Sequence, residues 1–273
     1  MLLMQKVFLF SLLALFFQQT TTDPKQALND QLFEAVRKGD AAAVTAALDR
    51  GADVNAKFRY GATALFKAAE RGHVEVTKLL LDRGADIKVK DTFYGMTAVD
   101  WALDNKNVAI VRLLLEKDAD KIEDVLLTGT REGNTELVKV ALDRGGAKPE
   151  SLMVALAISS ADEKNANITE MLKKAGAPPP HQVDAATLQS YAGKYKGDTG
   201  PEATISVKEG KLFVAGFTRE PQPLLATDNT TFRPVNFDGI TLTFNADAGK
   251  VVSMTFKQGQ TTNVMKRIAE VSQ

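Results

Sequence analysis

The chain repeats itself at a fixed period. Leu32, Ala35, Gly39 and Ala52-Asp53 recur 33 residues later as Leu65, Ala68, Gly72 and Ala85-Asp86. A third copy, shifted by 34, carries Val99, Ala102, Lys106 and Ala119-Asp120. Such a period marks a stack of supersecondary units, each unable to bury its apolar side except against its neighbours. Within the second copy, Leu65, Ala68 and Ala69 line one side of a first helix and are small enough for close approach. Val76, Leu79 and Leu80 form the i, i+3, i+4 stripe of a second helix. Gly84 suits the left-handed backbone that ends such a helix.

The second copy runs Gly61-Ala-Thr63-Ala-Leu65-Phe-Lys-Ala-Ala-Glu-Arg-Gly72-His73, through Val76 and Leu79-Leu80-Leu81, to Gly84-Ala85-Asp86. With its threonine, paired alanines, Gly-His turn and Gly-Ala-Asp ending in register, it resembles the ankyrin repeat. That resemblance implies an α-helical solenoid of four to five repeats over residues 28–177. It also implies a protein-binding role through hairpin tips and the exposed side of the first helices. The copies degrade along the chain. Asp124 to Ala147 keeps Leu126, Gly133-Asn134, Leu137, Val140 and Leu142 but has Gly129 where Ala68 stands. Glu150 to Ala177 keeps Met171-Leu172 and Gly176-Ala177 and reads as a capping repeat. Phe66 and Asp100 stand where ankyrin repeats often have a hydrogen-bonding histidine, and Ala64 and Ala98 where they have proline. Both departures are expected to weaken the array.

Projecting the ankyrin mode onto this chain gives Phe58, Arg59 and Tyr60 in a first hairpin tip, and Thr92, Phe93 and Tyr94 in a second. Lys67, Glu70 and Arg71 on one first helix correspond to Trp101, Asp104 and Asn105 on the next. The candidate partner-binding residues are therefore Phe58, Arg59, Tyr60, Lys67, Arg71, Phe93, Tyr94, Trp101 and Asp104. Aromatic side chains on a rigid scaffold lose little entropy when a partner covers them. The competing reading is that the same rings pack on one another, with Trp101 filling space beside the second tip.

After Pro178-Pro179-Pro180 the period changes from helical to alternating. Residues 178–187 read as a stiff linker. Ile205 and Val207, Leu212 and Val214, Ile240, Leu242 and Phe244, then Val252, Met254 and Phe256 occupy every second position. Each strand thus has one buried and one wet face. Glu209-Gly210, Asp228-Asn229, Ala248-Gly249 and Gln258-Gly259 read as hairpin turns. About eight short antiparallel strands make residues 188–269 a small all-β, barrel-like domain with a solid interior. Tyr191-Ala-Gly-Lys-Tyr195, Glu209-Gly-Lys-Leu212 and Lys266-Arg267-Ile268 resemble the β domain appended to serine β-lactamase-like and penicillin-binding-protein-like hydrolases. In those relatives the chemistry sits in the other domain.

No serine heads a Ser-x-x-Lys, and Gly-x-Ser-x-Gly, phosphate-binding glycine loops and His-Glu-x-x-His are missing. The two histidines are His73, explained by the repeat turn, and His181, expected to be solvated. The reading is no enzyme, no cofactor and no metal. Lys+Arg and Asp+Glu number 34 each, so no bulk field favours nucleic acid. Cysteine is absent, which removes disulfides and thiolate sites. Lys6, the apolar run Val7 to Phe17 and polar Gln18-Gln19 have the layout of an export signal over residues 1–22, with cleavage expected between Gln18 and Lys25. Because no small-x-small triplet ends the run, an uncleaved N-terminal anchor is the rival reading. The expectation is a periplasmic or secreted monomer that binds a protein and does not otherwise insert into membrane. Two alternatives stand beside it: the β domain binds a small ligand or cell-wall fragment, or the chain is an accessory subunit of a separate hydrolase.

Overall fold

A computed structural model of the protein describes residues 23–198, 200, 202–237 and 239–268. The proposed export signal lies outside them. The described residues fall into two compact units that meet after Lys121 in the sequence.

The first unit is built from antiparallel helix pairs joined by extended tips. α1 (Pro24–Lys38) pairs with α2 (Ala41–Asp49), α3 (Ala64–Arg71) with α4 (Val74–Asp82), and α5 (Ala98–Asp104) with α6 (Val108–Lys117). Their inner faces are those the period indicates: Leu32, Val36, Leu65, Ala68, Ala69 and Ala102 are completely or almost completely buried. Thr77, rather than Leu79, completes the buried face of α4 beside Val76 and Leu80, its hydroxyl donating to the His73 carbonyl at 2.9 Å. Polar side chains join successive repeats. The Asn29 carbonyl oxygen accepts from the Asp53 N–H at 2.8 Å, and that of Asn55 from the Asp86 N–H at 2.8 Å.

The turn between the paired helices is also a joint between repeats. Gly72 ends α3 at φ +75°, and a Cβ there would lie 2.9 Å from the Asn107 side chain. Asn107 in turn donates to the Ala69 carbonyl at 2.7 Å. His73 holds the corresponding place one repeat earlier. Its Nε2 lies 3.4 Å from the Arg37 carbonyl and its ring covers Gly39, so its bond reaches back to the preceding repeat instead of capping α4.

The second unit begins with α7 (Ile122–Arg131), α8 (Thr135–Arg144), α9 (Pro149–Ser160) and α10 (Ala166–Lys174). Gly129 lets α7 and α8 approach closely, since a Cβ there would sit 2.8 Å from that of Leu137. A short helix that the strand pattern does not announce, α11 (Ala185–Tyr191), precedes the sheet. The strands are β1 (Gly193–Lys196), β2 (Ala203–Lys208), β3 (Lys211–Ala215), β4 (Gln222–Ala226), β5 (Thr231–Pro234), β6 (Ile240–Asp247), β7 (Lys250–Gln258) and β8 (Thr261–Ile268). They form a closed antiparallel barrel in sequence order.

Tyr195, Phe232, Phe244, Met254 and Met265 fill the barrel, and Leu188 and Tyr191 of α11 join the same core. The Tyr191 hydroxyl donates to the Asn229 carbonyl, so α11 covers the end where the β4–β5 turn lies. Glu209-Gly210 and Ala248-Gly249 have positive φ at both positions, the twist-matched geometry of two-residue hairpins. The last turn falls one residue later than expected, at Gly259-Gln260. Val252 is a second departure. A register shift between Asn245 and Ala246 puts Val251 against the core and leaves Val252 exposed. A single extra residue reverses which side chains face inward from that point.

Candidate functional site

The connection between α2 and α3 and that between α4 and α5 carry the two tips. Phe58 N–H donates to the Ala62 carbonyl at 2.8 Å and closes the first, and Asp91 N–H donates to Met96 at 2.9 Å and closes the second. Thr92 N–H donates to the Tyr60 carbonyl at 2.8 Å and ties the tips together. Tyr60 sits at φ 60°, ψ 26°, a left-handed conformation that costs a side-chain-bearing residue about 1–2 kcal/mol. Its ring projects from that turn.

Between the tips and the first helices lies a groove of about 480 Å³. Its aromatic lining forms two clusters. Phe33 of α1 and Phe58 lie 4.1 Å apart between ring centres. From Tyr60 a second run passes to Phe93 at 5.5 Å, on to Tyr94 at 4.6 Å and on to Trp101 at 6.0 Å. Phe66 of α3 is buried and also lines the groove. Tyr60, Phe93 and Tyr94 remain 51%, 65% and 66% exposed, so their mutual packing leaves most of each ring open to water.

Asp91 is the organiser of the second tip. It is 5% exposed, and its carboxylate accepts from the backbone N–H groups of Phe93, Tyr94 and Met96 at 2.8, 2.6 and 3.1 Å. The Trp101 indole N–H donates to it at 3.2 Å. Burial works against the charge, but the bonds from Tyr94, Phe93, Met96 and Trp101 outweigh it and hold the carboxyl below the usual carboxylate range. Trp101 is accordingly half-buried and anchored.

The groove brings together Phe58, Arg59, Tyr60, Lys67, Phe93, Tyr94 and Trp101 from the residues selected on sequence. Arg71 and Asp104 end their helices in exposed positions and do not line it. Phe33, Arg37, Ala62, Phe66, Glu70 and Asp91 line it in addition. Asp91 had a signal in the sequence: it lies 33 residues after Phe58, at the tip position where ankyrin repeats favour aspartate. Phe33 had one too: it lies 33 residues before Phe66, at the same first-helix position of the preceding repeat.

The barrel offers a smaller cleft, about 290 Å³, lined by Val214, Phe217, Gln222, Phe237, Ile240 and Phe256 among others. It opens at the end opposite α11, where the β3–β4, β5–β6 and β7–β8 connections lie. His181 is exposed, its Nε2 2.8 Å from Oδ1 of Asn229. Among the described residues no group of three or more His, Cys, Asp or Glu side chains could hold a metal ion. Among the same residues no helix is long and apolar enough to cross a membrane.

Residues 32–125 match the ankyrin repeat family in three copies. Residues 177–267 match a family described as a domain of unknown function (DUF3471). No curated protein matches the chain. The N-terminal half is thus made of ankyrin repeats, which support a protein–protein interaction role, and a closed eight-stranded barrel follows.

Proposed function

From ankyrin repeats that carry an aromatic groove, we propose that this protein is an exported, non-catalytic adaptor. It grips a protein partner across the hairpin tips, with Phe58, Arg59, Tyr60, Phe93, Tyr94 and Trp101 as the contact set. The observation that supports this most is the exposure of Tyr60, Phe93 and Tyr94 on tips fixed by backbone hydrogen bonds and by Asp91. Rings already held in place are buried by a partner without a further ordering cost, which favours binding hot spots. The export layout of residues 1–22 supports a periplasmic or secreted location.

Paired pull-downs from periplasmic or secreted extract test the proposal, with wild type set against a Tyr60→Ala, Phe93→Ala variant. Both rings are exposed, so the variant should melt within a few degrees of wild type. A partner held by wild type and lost from the folded variant supports the groove. A partner held equally by both moves recognition elsewhere.

A second reading has its own observation. The apolar cleft at the open end of the barrel suits a small uncharged molecule, although the interior below it is filled. The likeness of residues 188–268 to a hydrolase-appended β domain supports an accessory role, in which the chain changes a separate hydrolase's activity on mixing.

A further inference from the structure

The groove's charges are nearly all spoken for, and the exception indicates what it takes. Arg37 is bound to Glu34 at 2.7 Å, and Lys67 to Glu70. Asp91 has its carboxylate filled by four donors. Arg59 is different. Its guanidinium carbon lies 4.8 Å over the Tyr60 ring, and it has no carboxylate partner among the described residues. Stacking on a ring leaves the N–H edges of a guanidinium free for a bidentate carboxylate.

Resting on the groove as the docking surface, we infer that its partner is an acidic peptide segment. A bulky apolar side chain sits among Phe58, Tyr60 and Phe93, and an Asp or Glu beside it bonds Arg59. A basic segment would meet Arg59 and Arg37 while finding Glu34, Glu70 and Asp91 already engaged. A neutral segment would cover Arg59 without pairing it, which penalises binding through desolvation. Nucleic acid is disfavoured because its affinity needs several cations along the backbone, and this lining has one unpaired.

The test is selection of random dodecapeptides on the full chain, followed by titration read from Trp101, the only tryptophan in the sequence. Enriched peptides should place an aromatic or large aliphatic residue within two positions of Asp or Glu. Arg59→Gln should weaken them about tenfold at low salt, and changing the peptide acid to its amide should weaken wild type equally. Neutral or basic peptides that lose binding to Tyr60→Ala but ignore Arg59→Gln would overturn the acidic partner and leave the groove standing. Peptides indifferent to both Tyr60→Ala and Phe93→Ala, or a library that enriches nothing, would count against the groove as well. A single-stranded oligonucleotide that outcompetes every selected peptide and requires Arg59 would assign the site to nucleic acid instead.

Discussion

Asp91 shows how one carboxylate serves both folding and recognition. Its oxygens hold three successive parts of a tip and the indole that borders the groove. Asp91→Asn keeps the size but turns an amide toward groups that donate. It should cost about 1–3 kcal/mol and loosen Tyr94 and Trp101 together. Because the folded carboxyl titrates below its unfolded value of 3.8, its stabilisation is present above that pH and is lost as pH falls through the lower folded value. Urea melts followed by Trp101 emission should therefore show a gap between wild type and Asp91→Asn at pH 7 that closes under acid. Lys106 makes the opposite case. It adopts φ 58° at the position where the preceding repeats have Gly39 and Gly72. Lys106→Gly should raise stability by about 1 kcal/mol, measured by the same melts. The irregularity at Lys106 is visible in the sequence. The place of Asp91 at a tip is visible there too, but its burial beneath four donors is not, because a buried carboxylate and a solvated one look alike until their donors are placed.

At the scale of elements, the two periodicities carried most of the information. The helix faces, the closing glycines and the strand alternation follow from spacing, since each element can bury only one side. The expected weakening at Asp100 is moderated by a local effect. It accepts from the Thr97 N–H and hydroxyl at 2.8 Å each, forming a capping box at the start of α5, and pairs with Lys121 at 3.0 Å. Val252 escaped the pattern because a bulge changes inward parity without changing composition. Helix α11 escaped it because one buried turn of Leu188 and Tyr191 is too short to show a period. The motifs at the two ends of the β domain are joints of closure: Tyr195 pairs with Arg267 across β1 and β8, and Arg267 donates to the Ser190 and Ala192 carbonyls. Tyr195 is fully buried, and burial pushes its phenol up to about 12. An unfolded tyrosine ionises near 10, so barrel stability should fall as pH rises above that value. Tyr195→Phe should flatten this alkaline loss while weakening the barrel at neutral pH, because it removes the hydrogen bond from the Tyr195 hydroxyl to the Tyr191 carbonyl. Far-ultraviolet circular dichroism between pH 8 and 12 reads both effects.

For the whole molecule, the sequence marks a change of architecture at Pro178-Pro179-Pro180, whereas contacts divide the chain after Lys121. The later helices and the barrel share one unit: an Arg131 guanidinium N–H donates to the Val235 carbonyl at 3.4 Å, and Ala157, Ser160 and Val183 line a cleft with Leu212 and Phe232. Such contacts join residues far apart in sequence and leave no periodic trace. The groove lies wholly in the other unit, and its exposed rings are the basis of the adaptor reading. The most direct test of that reading is site-specific photo-crosslinking in secreted or periplasmic extract. A photoreactive phenylalanine analogue is placed at Phe93 in one protein and at Val264, exposed on the barrel, in another. The adaptor account expects one discrete adduct from position 93, removed by Tyr60→Ala, and none from position 264. A discrete adduct only from position 264 would contradict it and place recognition on the barrel.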